Sequence, residues 1–326
     1  MKSALALARS RPAFYALLAG LFLTCAFFVW RSSMRSANAL SETTAADLIL
    51  LVSAYFCVLA AVLAGGLIWS QLLTALDGGK SSWAKLLRSF LLVWPARYIP
   101  GTMPYHAARV LMAEQMGTTR LAVGASIAYE TLLAVGAAGL IALIVLLPHG
   151  LGDASAVTLM MLASPLLILP VALQPGVILL VTRRLAFVPG LAAISREHLL
   201  PTRKSFLVVM AYGGMHCLNG LGFYIVLEAL GGGVSPVLAL GVYSAAAAAG
   251  VLVFFVPSGI GVREGMAVAL LAGTAGAEVA LVAASLTRLV TIVADLTPFV
   301  LLNLVAIRRR LRGVEPPSMP GRPTAA

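Results

Sequence analysis

Apolar residues run along this chain in long, nearly unbroken stretches. Six of them, over 14–30, 48–70, 121–147, 156–182, 205–230 and 277–305, are about the length that carries a helix across hydrocarbon, roughly 20 residues. Two further apolar regions, 84–117 and 237–276, are interrupted near the middle. The interruptions read Tyr98-Ile99-Pro100-Gly101-Thr102-Met103-Pro104 and Phe255-Val256-Pro257-Ser258-Gly259-Ile260-Gly261. Proline removes a helix donor and glycine loosens the backbone, so neither region is expected to form one straight helix. Hydrocarbon offers nothing to the freed backbone groups, so such breaks persist only inside protein or beside a wet cavity.

The pattern predicts an all-α polytopic membrane protein with six full spans and two re-entrant hairpins broken at Pro100, Gly101, Pro257, Gly259 and Gly261. Residues 1–312 form one integral membrane domain in this reading, and the Pro- and Gly-rich residues 313–326 form a disordered tail. The alternative is that each break is a short surface loop. An inverted repeat is expected on the hairpin reading. Pro100 precedes Glu130 by thirty residues and Pro257 precedes Arg288 by thirty-one, each through a short helix, a Gly-containing turn and a long span.

Composition supports the membrane assignment. Only 11% of the 326 residues are charged and 60% are hydrophobic, whereas soluble domains carry about 25% charged residues. The net charge of +11 is unevenly placed. Of 23 Lys and Arg, 19 fall in residues 1–13, 71–120, 183–204 and 306–326, while loops 148–156 and 231–236 hold none. The positive-inside rule then puts both termini in the cytoplasm of an inner-membrane protein. Nucleic-acid binding is not expected. Lys2, Arg9 and Arg11 ahead of the run 14–30 resemble a signal peptide, but Arg31 and Arg35 intervene before a small-residue site, and an uncleaved first span is the reading taken.

Charges inside the spans carry the functional interest. Glu130 lies within 121–147, Arg288 and Asp295 lie within 277–305, and Arg263-Glu264 follows the second break. Five such charges left unpaired would cost about 12–17 kcal/mol on insertion scales, so they must be paired or hydrated. Ser285, Arg288, Thr291 or Ile292, and Asp295 share one helix face, which suits either a pathway lining or a polar clasp. Pairing of Glu130 with Arg288 across the repeat is expected. The span containing Gly213, Gly214, His216, Asn219, Gly220 and Gly222 suits either close helix packing or a cavity wall lined by His216 and Asn219.

Cys25, Cys57 and Cys217 sit in apolar runs and imply neither a disulfide framework nor a metal site. His106, His149, His198 and His216 lack ligand spacing, and no phosphate loop or nucleophile elbow is present. No cofactor, metal or enzymatic activity is expected.

Two motifs resemble a family. Pro100-Gly101, Arg109, Gly117 and Glu130 form the first, and Pro257-Ser258-Gly259-Ile260-Gly261-Val262-Arg263-Glu264-Gly265 followed by Arg288 forms the second. Together they resemble the transmembrane region of lysylphosphatidylglycerol synthase, the flippase-like part of bacterial aminoacyl-lipid proteins. Thr131 stands where that family often has Arg after the acidic residue. The resemblance implies a flippase for a lipid or lipid-linked sugar, without the soluble aminoacyl-transfer domain. Arg109, Arg263 and Arg288 would contact phosphate or another anion through their donor forks. Glu130, Glu264 and Asp295 would balance those charges or meet a cationic headgroup, and helix N-termini at the breaks would assist anion binding. Two other functions remain open: a membrane partner subunit of a glycosyltransferase or lipid synthase, and a secondary transporter of a small soluble solute.

Overall fold

The computed structural model describes residues 45–98, 103–149, 167–184, 196, 199–253, 259 and 261–311. The predicted span 14–30, Cys25, His198, Pro100, Gly101, Pro257 and the tail 313–326 lie outside the described residues.

Long apolar composition becomes long helix. We number the helices α1 (Ala45–Leu76), α2 (Trp83–Val93), α3 (Met103–Glu114), α4 (Arg120–Leu146), α5 (Pro175–Arg184), α6 (Thr202–Ala229), α7 (Pro236–Leu252), α8 (Val262–Leu271) and α9 (Ala277–Leu311). Among the described residues there is no strand, and α1, α4, α6 and α9 are long and apolar enough to cross a membrane. These four match the spans expected at 48–70, 121–147, 205–230 and 277–305. The chain is therefore an all-α, multi-pass membrane protein. The span expected at 156–182 is described only from residue 167, and it is not one continuous helix there. Residues 167–173 are helical, Gln174 is not, and α5 begins at Pro175; a proline disfavours helical geometry in the residue before it.

Side-chain caps set where two helices begin. Thr119 accepts from the Ala122 amide (3.2 Å) to open α4. Ser235 accepts from the Leu238 amide (3.2 Å) to open α7, with Pro236 at its first position. In each interrupted region the two helices pack against each other. The first is α2, a 3-10 turn over Trp94–Tyr98, and then α3. The second is α7 and α8, which pack against each other, with α8 also against α9. The arms of the second are unequal. At 17 residues, α7 is about 25 Å long, most of the roughly 30 Å hydrocarbon thickness, while α8 has 10 residues.

Small residues let these helices meet. A Cβ on Gly220 of α6 would stand 2.5 Å from Leu240 Cδ1 and 3.0 Å from Leu240 Cα on α7, and one on Gly222 would stand 3.0 Å from Val58 of α1. Gly241 of α7 likewise seats Val145 of α4, 2.5 Å from where its Cβ would be. Gly213 and Gly214 have nothing within 4 Å of that position. The Gly-rich span thus serves close packing at its C-terminal half only. Gly220→Val is expected to destabilise the protein by about 1–3 kcal/mol through overpacking. Gly213→Ala, in open space, is expected to leave stability unchanged or raise it by a fraction of the helix-propensity gain. Thermal unfolding in detergent checks both.

Candidate functional site

The charges inside the helices resolve into three compensated groups, each anchored where a broken region meets a long helix. On α3, Arg109 is only 2% exposed. Its Nη1 lies 2.5 Å from Glu130 Oε2 on α4 and donates to the Tyr105 hydroxyl at 3.2 Å. Aromatic faces enclose the rest of the guanidinium, with Trp69 4.3 Å, Tyr105 5.2 Å and Phe90 5.5 Å from Cζ to ring centroid. Cation–π attraction of this kind strengthens when the cation is stripped of water. Trp69 is held by donating to Ser126 Oγ at 3.1 Å. Phe90 reaches its place because Gly66 has no Cβ, which would lie 2.9 Å from the ring.

The second group follows the second break. Glu264 of α8 accepts from Arg288 Nε of α9 at 3.0 Å, and through its other oxygen from the Gly261 amide at 2.6 Å. That carboxylate therefore both neutralises Arg288 and caps its own helix. Arg288 Nη2 also donates to the Gly259 carbonyl at 3.4 Å. Gly259 (φ +66°) and Gly261 (φ +85°) occupy a backbone region natural to glycine. A Cβ on Gly259 would stand 2.7 Å from Gly250 Cα, so the backbone ahead of α8 touches the backbone of α7 directly.

The third group centres on Asp295, 1% exposed on α9. It accepts from Trp94 Nε1 at 2.7 Å and from the Tyr98 hydroxyl at 2.5 Å, and Arg97 Nη1 lies 3.7 Å away. All three partners belong to the 3-10 turn of the first broken region, and Arg97 also sits 4.3 Å over the Trp94 ring.

A cavity of about 360 Å³ joins these groups. Its walls include Arg97, Arg109, Glu130, Arg263, Arg288 and Asp295, together with His216 and Asn219. The space is ample for several waters, so its charges need not rely on pairing alone. His216 Nε2 donates to the Ala134 carbonyl at 3.1 Å, and Asn219 Nδ2 donates to the Met215 carbonyl at 3.1 Å within its own helix. Glu264 lines a smaller space next to the same Arg263 and Arg288. Of the polar stripe on α9, Ser285, Arg288 and Asp295 are buried, and Thr291 faces the cavity.

One expectation needs correction. Glu130 and Arg288 do not pair with each other; each takes its partner from the short helix directly before it in the chain, Arg109 and Glu264. Contacts between neighbouring elements carry less chain-closure cost than a contact across the repeat. At the N-terminus of α8 one amide, that of Gly261, is engaged by Glu264. Sequence reasoning missed Trp94, Arg97, Tyr98 and Tyr105. The available signal was an aromatic–Arg–aromatic run, Trp94-Pro95-Ala96-Arg97-Tyr98, immediately ahead of the first break. Among the described residues no group of three or more His, Cys, Asp or Glu is placed to hold a metal.

A family model described as the lysylphosphatidylglycerol synthase TM region matches residues 14–298. No curated protein matches the chain significantly.

The pairing makes a specific prediction for stability. Glu130→Gln leaves Arg109 without its counter-charge and is expected to cost about 3–5 kcal/mol. A double-mutant cycle in detergent-solubilised protein is expected to find strong coupling between Arg109 and Glu130 and between Glu264 and Arg288. Between Glu130 and Arg288 the coupling should lie near the additivity error of about 0.3–0.5 kcal/mol.

Proposed function

Because the chain belongs to the lysylphosphatidylglycerol synthase transmembrane-region family, we propose that it is a flippase, carrying a lipid or lipid-linked molecule with a charged headgroup between leaflets of the inner membrane. The observation that carries this reading is the cavity of about 360 Å³, with six charged side chains in its wall, within a bundle of helices long and apolar enough to cross a membrane. A headgroup crosses hydrocarbon only where water or fixed charge replaces its hydration, whereas acyl chains can remain in lipid throughout. A cavity with room for several waters and six charged side chains in an otherwise largely apolar wall suits that arrangement.

In this reading the two broken regions are re-entrant hairpins related by an inverted repeat, with both termini cytoplasmic. The ion pairs support the repeat. In each half a short helix after a break pairs with the next long helix, as Arg109 with Glu130 and as Glu264 with Arg288, so the signs are exchanged between halves. Discontinuous helices facing a central site are the usual construction of such transporters. The protein would perform no covalent step, and its action would be driven by a gradient of the lipid or of an ion. A role as partner subunit of a glycosyltransferase or lipid synthase is the second reading. It draws on the same ion pairs, which would then serve packing alone.

Scrambling of headgroup-labelled lipids in proteoliposomes separates the two. Wild-type protein is expected to accelerate exchange between leaflets. Arg288→Ala and the cavity-filling Ala247→Phe are each expected to slow it by about tenfold or more, equivalent to at least 1.4 kcal/mol on the barrier. No acceleration with anionic, zwitterionic or cationic lipids would sink the flippase reading and favour the partner-subunit one.

A further inference from the structure

The compensation is incomplete, and its remainder has a sign. Four guanidinium groups, Arg97, Arg109, Arg263 and Arg288, line the cavity. Three carboxylates oppose them: Glu130 on Arg109, Glu264 on Arg288 and Asp295 beside Arg97. Four against three leaves one positive charge, and the geometry locates it. Among the described residues no carboxylate lies within ion-pair distance of Arg263, and its Nε is buried without a hydrogen-bond partner. Its neighbours across the small adjoining space are Arg288, another cation, and Glu264, whose carboxylate is already held by Arg288 and the Gly261 amide. The side chain is held across α7 at Gly250, where a Cβ would stand 2.6 Å from Nε and 2.8 Å from Cγ. This glycine gives the guanidinium its place against the cavity wall.

An unpaired guanidinium inside a membrane protein is costly, and a ligand that supplies the missing charge recovers that cost on binding. We propose that Arg263 is an anion site, the point where the cavity takes the phosphate or other acidic group of a net-anionic headgroup in preference to a cationic, aminoacylated one. This rests on reading the cavity as the headgroup path. Arg263 presents a fork of donors suited to paired phosphate or carboxylate oxygens. A cationic headgroup would instead meet like charge from Arg263 and Arg288, with every nearby carboxylate already engaged.

The test is equilibrium binding to full-length protein in detergent, with three probes: dihexanoyl phosphatidylglycerol, a dihexanoyl lipid bearing a trimethylammonium headgroup, and inorganic phosphate. Wild-type protein is expected to bind the anionic lipid at least about tenfold more tightly than the cationic one. Arg263→Gln should abolish that preference, and Arg263→Lys, which keeps the charge, should retain most of it. Gly250→Ala keeps the guanidinium but displaces it, and should also weaken the anionic lipid. Displacement of the lipid by inorganic phosphate would assign the site to phosphate as such. Binding of the lipid without such displacement would assign it to a lipid-borne headgroup. An unchanged preference in Arg263→Gln, or tighter binding of the cationic lipid by wild type, overturns the proposal. Arg263-dependent binding with no scrambling would preserve the site and remove the transport reading.

Discussion

A charge placed in hydrocarbon has to be neutralised or wetted, and this fold is arranged around satisfying that demand at the ends of broken helices. Glu130, Glu264 and Asp295 each hold a cation delivered by a neighbouring element: Arg109 from α3, Arg288 from α9 and Arg97 from the 3-10 turn. The breaks make this possible. A straight helix presents its side chains along one fixed axis, whereas a short helix restarting after a kink can aim a guanidinium or carboxylate across the bundle. The glycine contacts between α6, α7 and α1 then close the structure tightly enough for those groups to reach each other.

Arg109 illustrates a second means of burying charge. It sits among ring faces stacked in series, with Trp69 beside Phe90, Phe90 beside Trp94 and Trp94 edge-on to Tyr105. These rings offer polarised surface without asking for hydrogen bonds in return. The same Trp94 turns its indole N–H to Asp295 and its face to Arg97, so one side chain serves two charged groups through its edge and its face.

The long helices were legible because length and apolarity alone decide them; Ala45–Leu76 and Thr202–Ala229 needed no partner to be recognised. The misplaced charges were legible for the same reason, since Glu130, Arg288 and Asp295 interrupt apolar runs that have no other reason to contain them. Their partners were not. Which acid meets which base depends on the angle at which α3 and α8 leave their breaks, and local sequence does not encode that angle. Arg97 was obscured differently. An Arg between Trp94 and Tyr98 at a helix end resembles an interfacial belt, and only the tertiary fold reveals Asp295 beneath it. The glycines of α6 show the same limit, because Gly213 and Gly220 look alike in the sequence yet one faces open space and the other a neighbouring backbone.

The double engagement of Glu264 has a mechanical side. One of its oxygens fixes the first turn of α8 and the other fixes Arg288 on α9. Sliding α9 along α8 would tear the carboxylate from one of the two and unravel the start of the short helix. Any shape change in this half of the protein is therefore carried by α8 and α9 together as a riveted plate. Against α7 that plate rests on the close backbone contact of Gly259 with Gly250 and on the Arg263 side chain laid across the same glycine.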